Sequence, residues 1–425
     1  MIVFDPLYGQ FELSSRLWAL VQTPEVRRLS QIRLLNTVTP SLATLGEIRR
    51  FSHTLGILYL VSQSRQMAAM PTINAAFSAA VLLHDIGTPP FAHLLEYHLK
   101  ERTGWTHENV IKAILYGHHV PENRASQLFA RSVIRFRAAL AKSRIDSELV
   151  EQIVTGEHEY SPLLFGTLDF DNLDNVARMG WALGIDLGLK PAVRIAEDLR
   201  CEQRVLLLPK GLSEHVRLWL QARRAAYDII VFDGPTVAAQ AVLSSVLSLA
   251  LMKGVISEHD WVLSDEALLD VLLKDSATKK VISAQYLGTL PRHAFSLQIH
   301  GQLHELNGQT RTQIAEVIKD VLESRFGQSC YGYVFLDNGT FEKELAFVDP
   351  ATGESWTCGR KSQSVVLYGF VRSQSGISHN SCLQAAEDVL QRLRISSDRV
   401  LRCIIGDERL GPDGQQNLNL AASTD

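Results

Sequence analysis

Cysteine is scarce in this chain. Five occur in 425 residues (Cys201, Cys330, Cys358, Cys382 and Cys403), widely spaced and with no CxxC pair. That argues against a disulfide framework or a thiolate zinc site and fits a reducing, cytoplasmic setting. An excess of one charge is also missing. Lys and Arg total 42 against 46 Asp and Glu, a formal net charge of −4. A strongly basic protein built to coat nucleic acid is therefore excluded. The short pairs Arg27-Arg28, Arg49-Arg50 and Arg223-Arg224 do not establish a basic groove. No GxGxxG, Walker A loop or GxSxG elbow occurs, so Rossmann, P-loop and α/β-hydrolase chemistry has no support. There is no internal repeat. The N-terminus, MIVFDPLYGQFELS, lacks the basic and apolar regions of a secretory signal. The most apolar stretch, Val237 to Met252, carries Gln240, Ser244, Ser245 and Ser248. It falls short of the ~20 residues a bilayer requires, so a buried helix and no membrane partner are expected.

What is present supports a folded protein with a sizeable core, since 46% of residues are hydrophobic and 21% charged. From residue 14 to about 290 the apolar spacing is helical, as in Leu17, Leu20 and Val21. Near residue 300 the character changes. Thr310 to Arg325 and Cys382 to Leu393 read as helices. Tyr331 to Leu336, Leu345 to Val348, Ser364 to Val371 and Arg399 to Ile405 read as strands rich in β-branched and aromatic residues. The expected organisation is a mainly α catalytic body over 1–300, a small α+β subdomain over 301–410 and a polar, flexible tail over 411–425.

Histidine is unevenly placed. Seven of the fourteen (53, 84, 93, 98, 107, 118 and 119) fall between residues 53 and 119. The sharpest feature is His84-Asp85 in AAVLLHDIGTPPFAH, where an apolar helical run ends in an adjacent imidazole and carboxylate. Neighbouring residues on a helix point ~100° apart, so both reach one ion only if it sits in the wedge between them. Further ligands must come from other helices. His53 in RRFSHTLG and the acids Asp169, Asp171 and Asp174 in LDFDNLDNVAR are candidates. A set of two His and two Asp suits Mn, Fe, Zn or Mg and leaves positions for water and a phosphate oxygen.

These stretches, with FDPLYGQFELS, TPEVRRLSQIRLL and GWTHENV, resemble the HD-superfamily metal-dependent phosphohydrolases over about residues 1–295. Within that superfamily the chain is most similar to the deoxynucleoside triphosphate triphosphohydrolases. The resemblance implies an HD-domain helical bundle and a divalent metal held by His53, His84, Asp85 and Asp171. Asp171 is preferred because it holds the first acidic position of the family's D-x-x-D segment. Arg50 matches a phosphate-binding arginine, His93 a histidine at the phosphate and sugar, and His107 the catalytic histidine. Glu96 stands where the family has an acid, and Tyr227 matches a sugar-pocket tyrosine more loosely. The implied reaction is attack of metal-activated water on the α-phosphate, giving nucleoside and triphosphate, in dNTP homeostasis or phage defence. A homo-oligomer with a nucleotide effector is implied as well.

The physics of the residues agrees. An imidazole near neutral pH can give a proton to a leaving alkoxide, and Glu96 could orient His107 and raise its pKa. Asp174 and Arg178, at i,i+4 spacing, read equally well as a structural ion pair. His98, His118 and His119 read as ordinary exposed histidines.

Four departures from the family stand out. Thr88 replaces the usual His after HD-x-G, and Leu34 replaces a sugar-contacting Gln. SLATLGEI replaces PGA, and Asn175 and Met179 stand where Tyr and Asp are common. They leave two alternatives: phosphohydrolysis of another nucleotide or a nucleic-acid phosphodiester, and a nucleotide-binding sensor without turnover.

Overall fold

A computed structural model of the chain describes residues 1–36, 39–117, 135–302, 309–372 and 377–406. His118, His119 and the tail 411–425 lie outside the described residues. The chain divides into two compact units, interleaved along the sequence. The first takes Met1–Ile230, Val246–Ser283 and Thr340–Lys361, and the second takes Val231–Ser245, Ala284–Gly339 and the chain from Ser362 onward.

The first unit opens with an antiparallel hairpin, β1 (Ile2–Asp5) and β2 (Gly9–Glu12). Four helices then carry the histidine-rich region: α1 (Arg50–Gln63), α2 (Pro71–Leu83), α3 (His93–Thr103) and α4 (His107–Tyr116). α2 is apolar through its second half, and every residue from Ala76 to Leu83 is buried. A helix apolar on all sides belongs in a core, which fixes the position of the His84-Asp85 pair at its end. α5 (Phe170–Leu183) starts at Asp169, whose side chain accepts from the Asn172 amide, and stops at Gly184 in the left-handed region. Its apolar side (Phe170, Leu173, Val176 and Ala177) joins the same core as α1 and α2.

Next comes a short hairpin, β3 (Arg200–Glu202) and β4 (Val205–Leu207), followed by α6 (Ser213–Phe232), α7 (Gly234–Met252) and α8 (Asp265–Lys274). α7 begins three residues earlier than the apolar stretch read from sequence and runs for 19 residues. It is long and apolar enough to cross a bilayer by length and composition, yet 67% of its most apolar window is buried inside the protein. That burial is the signature of a core helix.

The second unit is a small α+β fold. β5 (Arg292–His300), α9 (Arg311–Phe326), β6 (Cys330–Asn338), β9 (Gln363–Val371), α10 (His379–Arg392) and β10 (Val400–Ile405) form a βαββαβ series. Its antiparallel sheet has the order β10-β5-β9-β6, the split-βαβ arrangement. Leu297, Leu367 and Val334 lie in register across its centre. Ile314, Ile318 and Leu322 of α9 and Cys382, Ala385 and Val389 of α10 cover one face. Between β6 and β9 the chain makes a hairpin, β7 (Leu345–Val348) and β8 (Ser355–Cys358), which belongs to the first unit. There β7 pairs in parallel with β4 at Leu207 and Val348, completing a sheet of order β3-β4-β7-β8.

Candidate active site

Arg50 and His53 share one face of α1, three residues apart, and both are buried. His84 caps α2, and its Nδ1 donates to the Val81 carbonyl at 2.7 Å. A carbonyl only accepts, so the proton sits on Nδ1 and Nε2 keeps its lone pair. Nε2 is buried and has no hydrogen-bond partner. His53 Nε2 lies 2.7 Å from Asp171 Oδ1 in the first turn of α5. His84 Nε2 is 3.8 Å from that oxygen and 3.5 Å from Asp85 Oδ2.

His53, His84 and Asp171 each offer a ligand atom within 4.8 Å of the others. Two imidazoles and a carboxylate around an orphaned nitrogen lone pair fit a divalent cation. Asp85 stands at the edge of this group. Its oxygens are engaged by Arg50 Nη1 at 2.6 Å and by the Thr88 hydroxyl at 3.1 Å. Burial alone would raise the Asp85 pKa, but Arg50 and the neighbouring histidines hold it well below the usual carboxylate range.

The three acids of LDFDNLD have separate tasks. Asp169 caps α5. Asp171 faces the histidines. Asp174 Oδ2 accepts from His53 Nδ1 at 2.6 Å and binds Arg178 through both oxygens at 2.9 Å. Arg178 reaches on to Asp5 at 3.1 Å, which ties the N-terminal hairpin into the network. Gly56 makes room for it, because a Cβ there would sit 1.9 Å from Asp174 Oδ1 and 2.2 Å from Arg178 Nη2. Burial would lower the His53 pKa, but its hydrogen bonds to Asp171 and Asp174 outweigh this and raise it to about 9.

A second cluster adjoins the first through Arg50, whose Nη2 lies 3.3 Å from His93 Nε2. His93 Nδ1 lies 3.0 Å from Glu96 Oε2. Glu96 Oε1 accepts from the His107 backbone at 3.0 Å and from His107 Nδ1 at 2.5 Å. One carboxylate thus orients two imidazoles. Burial opposes its charge, yet these hydrogen bonds keep Glu96 far below the ordinary carboxylate pKa. Burial also opposes a charged His107, and Glu96 overrides it, so the His107 pKa is raised. The His93 side chain is 64% exposed and open to a ligand.

Just before α3, Phe91 and Ala92 take φ of 58° and 49°. Two consecutive non-glycine residues there mark strain at a functional turn. Asp265, the first residue of α8, holds it: Oδ1 accepts from the Phe91 amide and Oδ2 from the Arg33 amide, both at 2.9 Å. Its partners lie 174 and 232 residues away in the chain, so no local sequence signal marks it.

Other residues differ from their sequence reading. Thr88 is fully buried, and its hydroxyl goes to Asp85 rather than to a leaving group. Its carbonyl accepts from Arg28, which pins the HDIGT turn from behind. Leu34 packs half-buried against the apolar core. His98, expected exposed, is 7% accessible on α3. Tyr227 on α6 carries the Arg223 guanidinium 4.8 Å from its ring centre, and Arg223 Nη1 lies 3.3 Å from Asn172 Oδ1, beside Asp171. All five cysteines are free.

No protein-family profile matches the chain. Among curated proteins it is 24% identical over 252 residues to the uncharacterized protein YwfO of Bacillus subtilis, covering 57% of this chain and 54% of that protein. It is 27% identical over 122 residues to the human deoxynucleoside triphosphate triphosphohydrolase SAMHD1, covering 25% of this chain and 19% of that protein. The chain therefore spans about half the length, or less, of the curated relatives it matches. Among solved structures, a phosphohydrolase from Bacteroides thetaiotaomicron superposes with a TM-score of 0.61 at 18% identity, covering 87% of this chain and 99% of that one. The chain has the fold of that structure, a helical body with a small α+β part.

Proposed function

We propose that this chain is a divalent-cation-dependent nucleotide phosphohydrolase that cleaves (deoxy)nucleoside triphosphates to nucleoside and inorganic triphosphate. The observation that carries this reading is a continuous relay of side chains. The donors His53, His84 and Asp171 adjoin Asp85. Asp85 leads to Arg50, His93, Glu96 and His107 through successive polar contacts. The partial likeness to a deoxynucleoside triphosphate triphosphohydrolase supports the nucleotide assignment.

His53, His84, Asp171 and Asp85 would hold a divalent cation, which when bound would supply Lewis acidity and a more acidic water; the mixed His and Asp donors suit Mn, Fe, Mg or Zn. The protein's own residues do the rest. Asp174 fixes the His53 tautomer and leaves Nε2 toward the donor group. Arg50 and the exposed His93 edge bind phosphate oxygens. His107 keeps Nδ1 on Glu96 and holds a proton at Nε2. As the bond from phosphorus to the 5′ oxygen breaks, that oxygen takes the Nε2 proton and leaves as the nucleoside hydroxyl. Tyr227 is assigned to the sugar side. By resemblance we also assign a cytoplasmic homo-oligomer with a nucleotide effector, which light scattering with and without nucleotide would test.

Incubation of the protein with each dNTP and Mn²⁺, followed by chromatography, tests the reaction. Nucleoside and tripolyphosphate should appear in equal amounts and vanish with chelator. No nucleoside from any dNTP would contradict the proposal.

A further inference from the structure

Arg28 ends the short helix Pro24–Arg28 and is 4% exposed. Its guanidinium lies 5.2 Å from the centre of the Trp261 ring. Nη2 donates to the Thr88 carbonyl, and Nη1 donates to the Leu263 carbonyl at 3.3 Å. Nε is buried without a partner, and among the described residues no carboxylate bonds to the group. Burial lowers its pKa, Asp265 opposes that, and Arg50 adds to the lowering. A buried cation bonded only to neutral carbonyls is costly, and an apolar side chain of similar volume often serves a fold as well. What the arginine adds here is geometry.

The two carbonyls belong to different parts of the site. Thr88 closes the HDIGT turn. Its amide donates to the Asp85 carbonyl at 2.9 Å and its hydroxyl to Asp85 Oδ1 at 3.1 Å, so a shift of Thr88 carries Asp85 with it. Gly87, one residue earlier, packs on the start of α4: a Cβ there would sit 2.5 Å from the His107 carbonyl oxygen and 3.0 Å from Val110 Cβ. Leu263 lies two residues before Asp265, whose carboxylate accepts from the Phe91 amide at 2.9 Å. The Phe91 turn leads into α3, where Glu96 accepts from the His107 amide and Nδ1. These contacts close a ring from Asp85 through Arg28 and Asp265 to Glu96, His107 and back to Gly87. Both ends of the Arg28 link are backbone carbonyls, so it fixes turns rather than side chains.

We infer that Arg28 is a positioning residue: by holding the HDIGT turn to the segment before α8, it keeps Asp85 in register with the cation donors and sets their separation from His107. This rests on the cation-dependent reading given above. A planar fork can meet two carbonyls at once, whereas an ammonium is a point donor and an apolar chain meets neither.

The full-chain protein is titrated calorimetrically with Mn²⁺ as wild type, Arg28→Lys and Arg28→Met. Removing a group that orients a metal ligand weakens metal binding about 10- to 100-fold. Arg28→Met should show that loss at unchanged stoichiometry, with Arg28→Lys between it and wild type. With dNTP and saturating Mn²⁺, kcat of Arg28→Met should fall by up to ~100-fold, the cost of misplacing reacting groups by about 1 Å, with KM nearly unchanged. A purely structural arginine gives a different result: a lower urea midpoint and a smaller folded fraction, with the Mn²⁺ affinity of the folded protein unchanged. Unchanged affinity overturns the positioning role, whatever happens to kcat. If Arg28→Met does not fold, Arg28→Lys decides alone, and wild-type Mn²⁺ affinity in that variant overturns the role. Mn²⁺ binding needs no turnover. An affinity that depends on Arg28 in a protein that releases no nucleoside keeps the role and refutes the reaction. No Mn²⁺ binding to wild type overturns both the role and the cation site.

Discussion

Asp174 grips the far side of His53: its Oδ2 stands 2.6 Å from His53 Nδ1, which leaves Nε2 facing Asp171. The same carboxylate is held by both prongs of Arg178, so two buried cationic partners depend on it. Replacing Asp174 with Ala strips the partner from a buried arginine and a buried histidine. A loss of about 3–5 kcal/mol of stability is expected for breaking a buried pair in this way. Urea unfolding measures it, and a loss under about 1 kcal/mol would show that the network is not structural.

Gly56 gives a second route to the same network. Gly56→Ala places a methyl group within the Asp174–Arg178 pair. The helix itself should gain from alanine, so net destabilisation isolates the packing effect. Mn²⁺ affinity should fall roughly 10- to 100-fold as His53 loses its fixed orientation. Unchanged affinity, read by calorimetry, would separate Asp174 from the donor group.

Glu96 sets the pH behaviour. It raises the pKa of His107, so His107 carries its proton to higher pH than a free imidazole. Glu96→Gln removes that charge, and the alkaline limb of the kcat/KM profile should move to lower pH. The linkage has a definite sign. Because the folded pKa of His107 is raised above 6.5, its contribution to stability is complete below that value and fades as pH rises through the folded pKa. Unfolding measured from pH 6 to 9 should therefore show a steeper loss in wild type than in Glu96→Gln. Parallel profiles would remove Glu96 from this role.

Asp265 anchors the strained Phe91-Ala92 turn from another helix. Asp265→Ala leaves the Phe91 amide without its acceptor, at a cost of about 1–3 kcal/mol. The expected kinetic result is a lower kcat with Mn²⁺ content preserved, because His93 and Glu96 follow this turn whereas the donor group does not. Loss of Mn²⁺ with kcat per bound metal unchanged would contradict the assignment.

Much of the donor group could be read from local sequence, because one apolar helix ending in His-Asp carries its own signal. The i,i+4 spacing of Asp174 and Arg178 predicted their ion pair, which the fold contains. What could not be read are contacts made by distant segments. Asp265 meets Phe91 174 residues away. β7 was legible as a strand, yet its parallel pairing with β4 follows from no local pattern. β5 is buried along nearly its whole length as a central strand. Its sequence alternates Phe295, Leu297 and Ile299 with Ser296, Gln298 and His300, a strand pattern that sequence reading passed over because it closes the span 1–300 assigned to the mainly α body. Thr88 looked like a lost proton donor, but its hydroxyl instead steadies Asp85.

The most direct test of the central claim is hydrolysis of a dNTP in oxygen-18 water with Mn²⁺, with both products read by mass spectrometry. Attack at the α-phosphorus, with the His107 proton going to the 5′ oxygen, predicts unlabelled nucleoside and tripolyphosphate carrying one oxygen-18. Label in the nucleoside, or release of orthophosphate or pyrophosphate in place of tripolyphosphate, would contradict it.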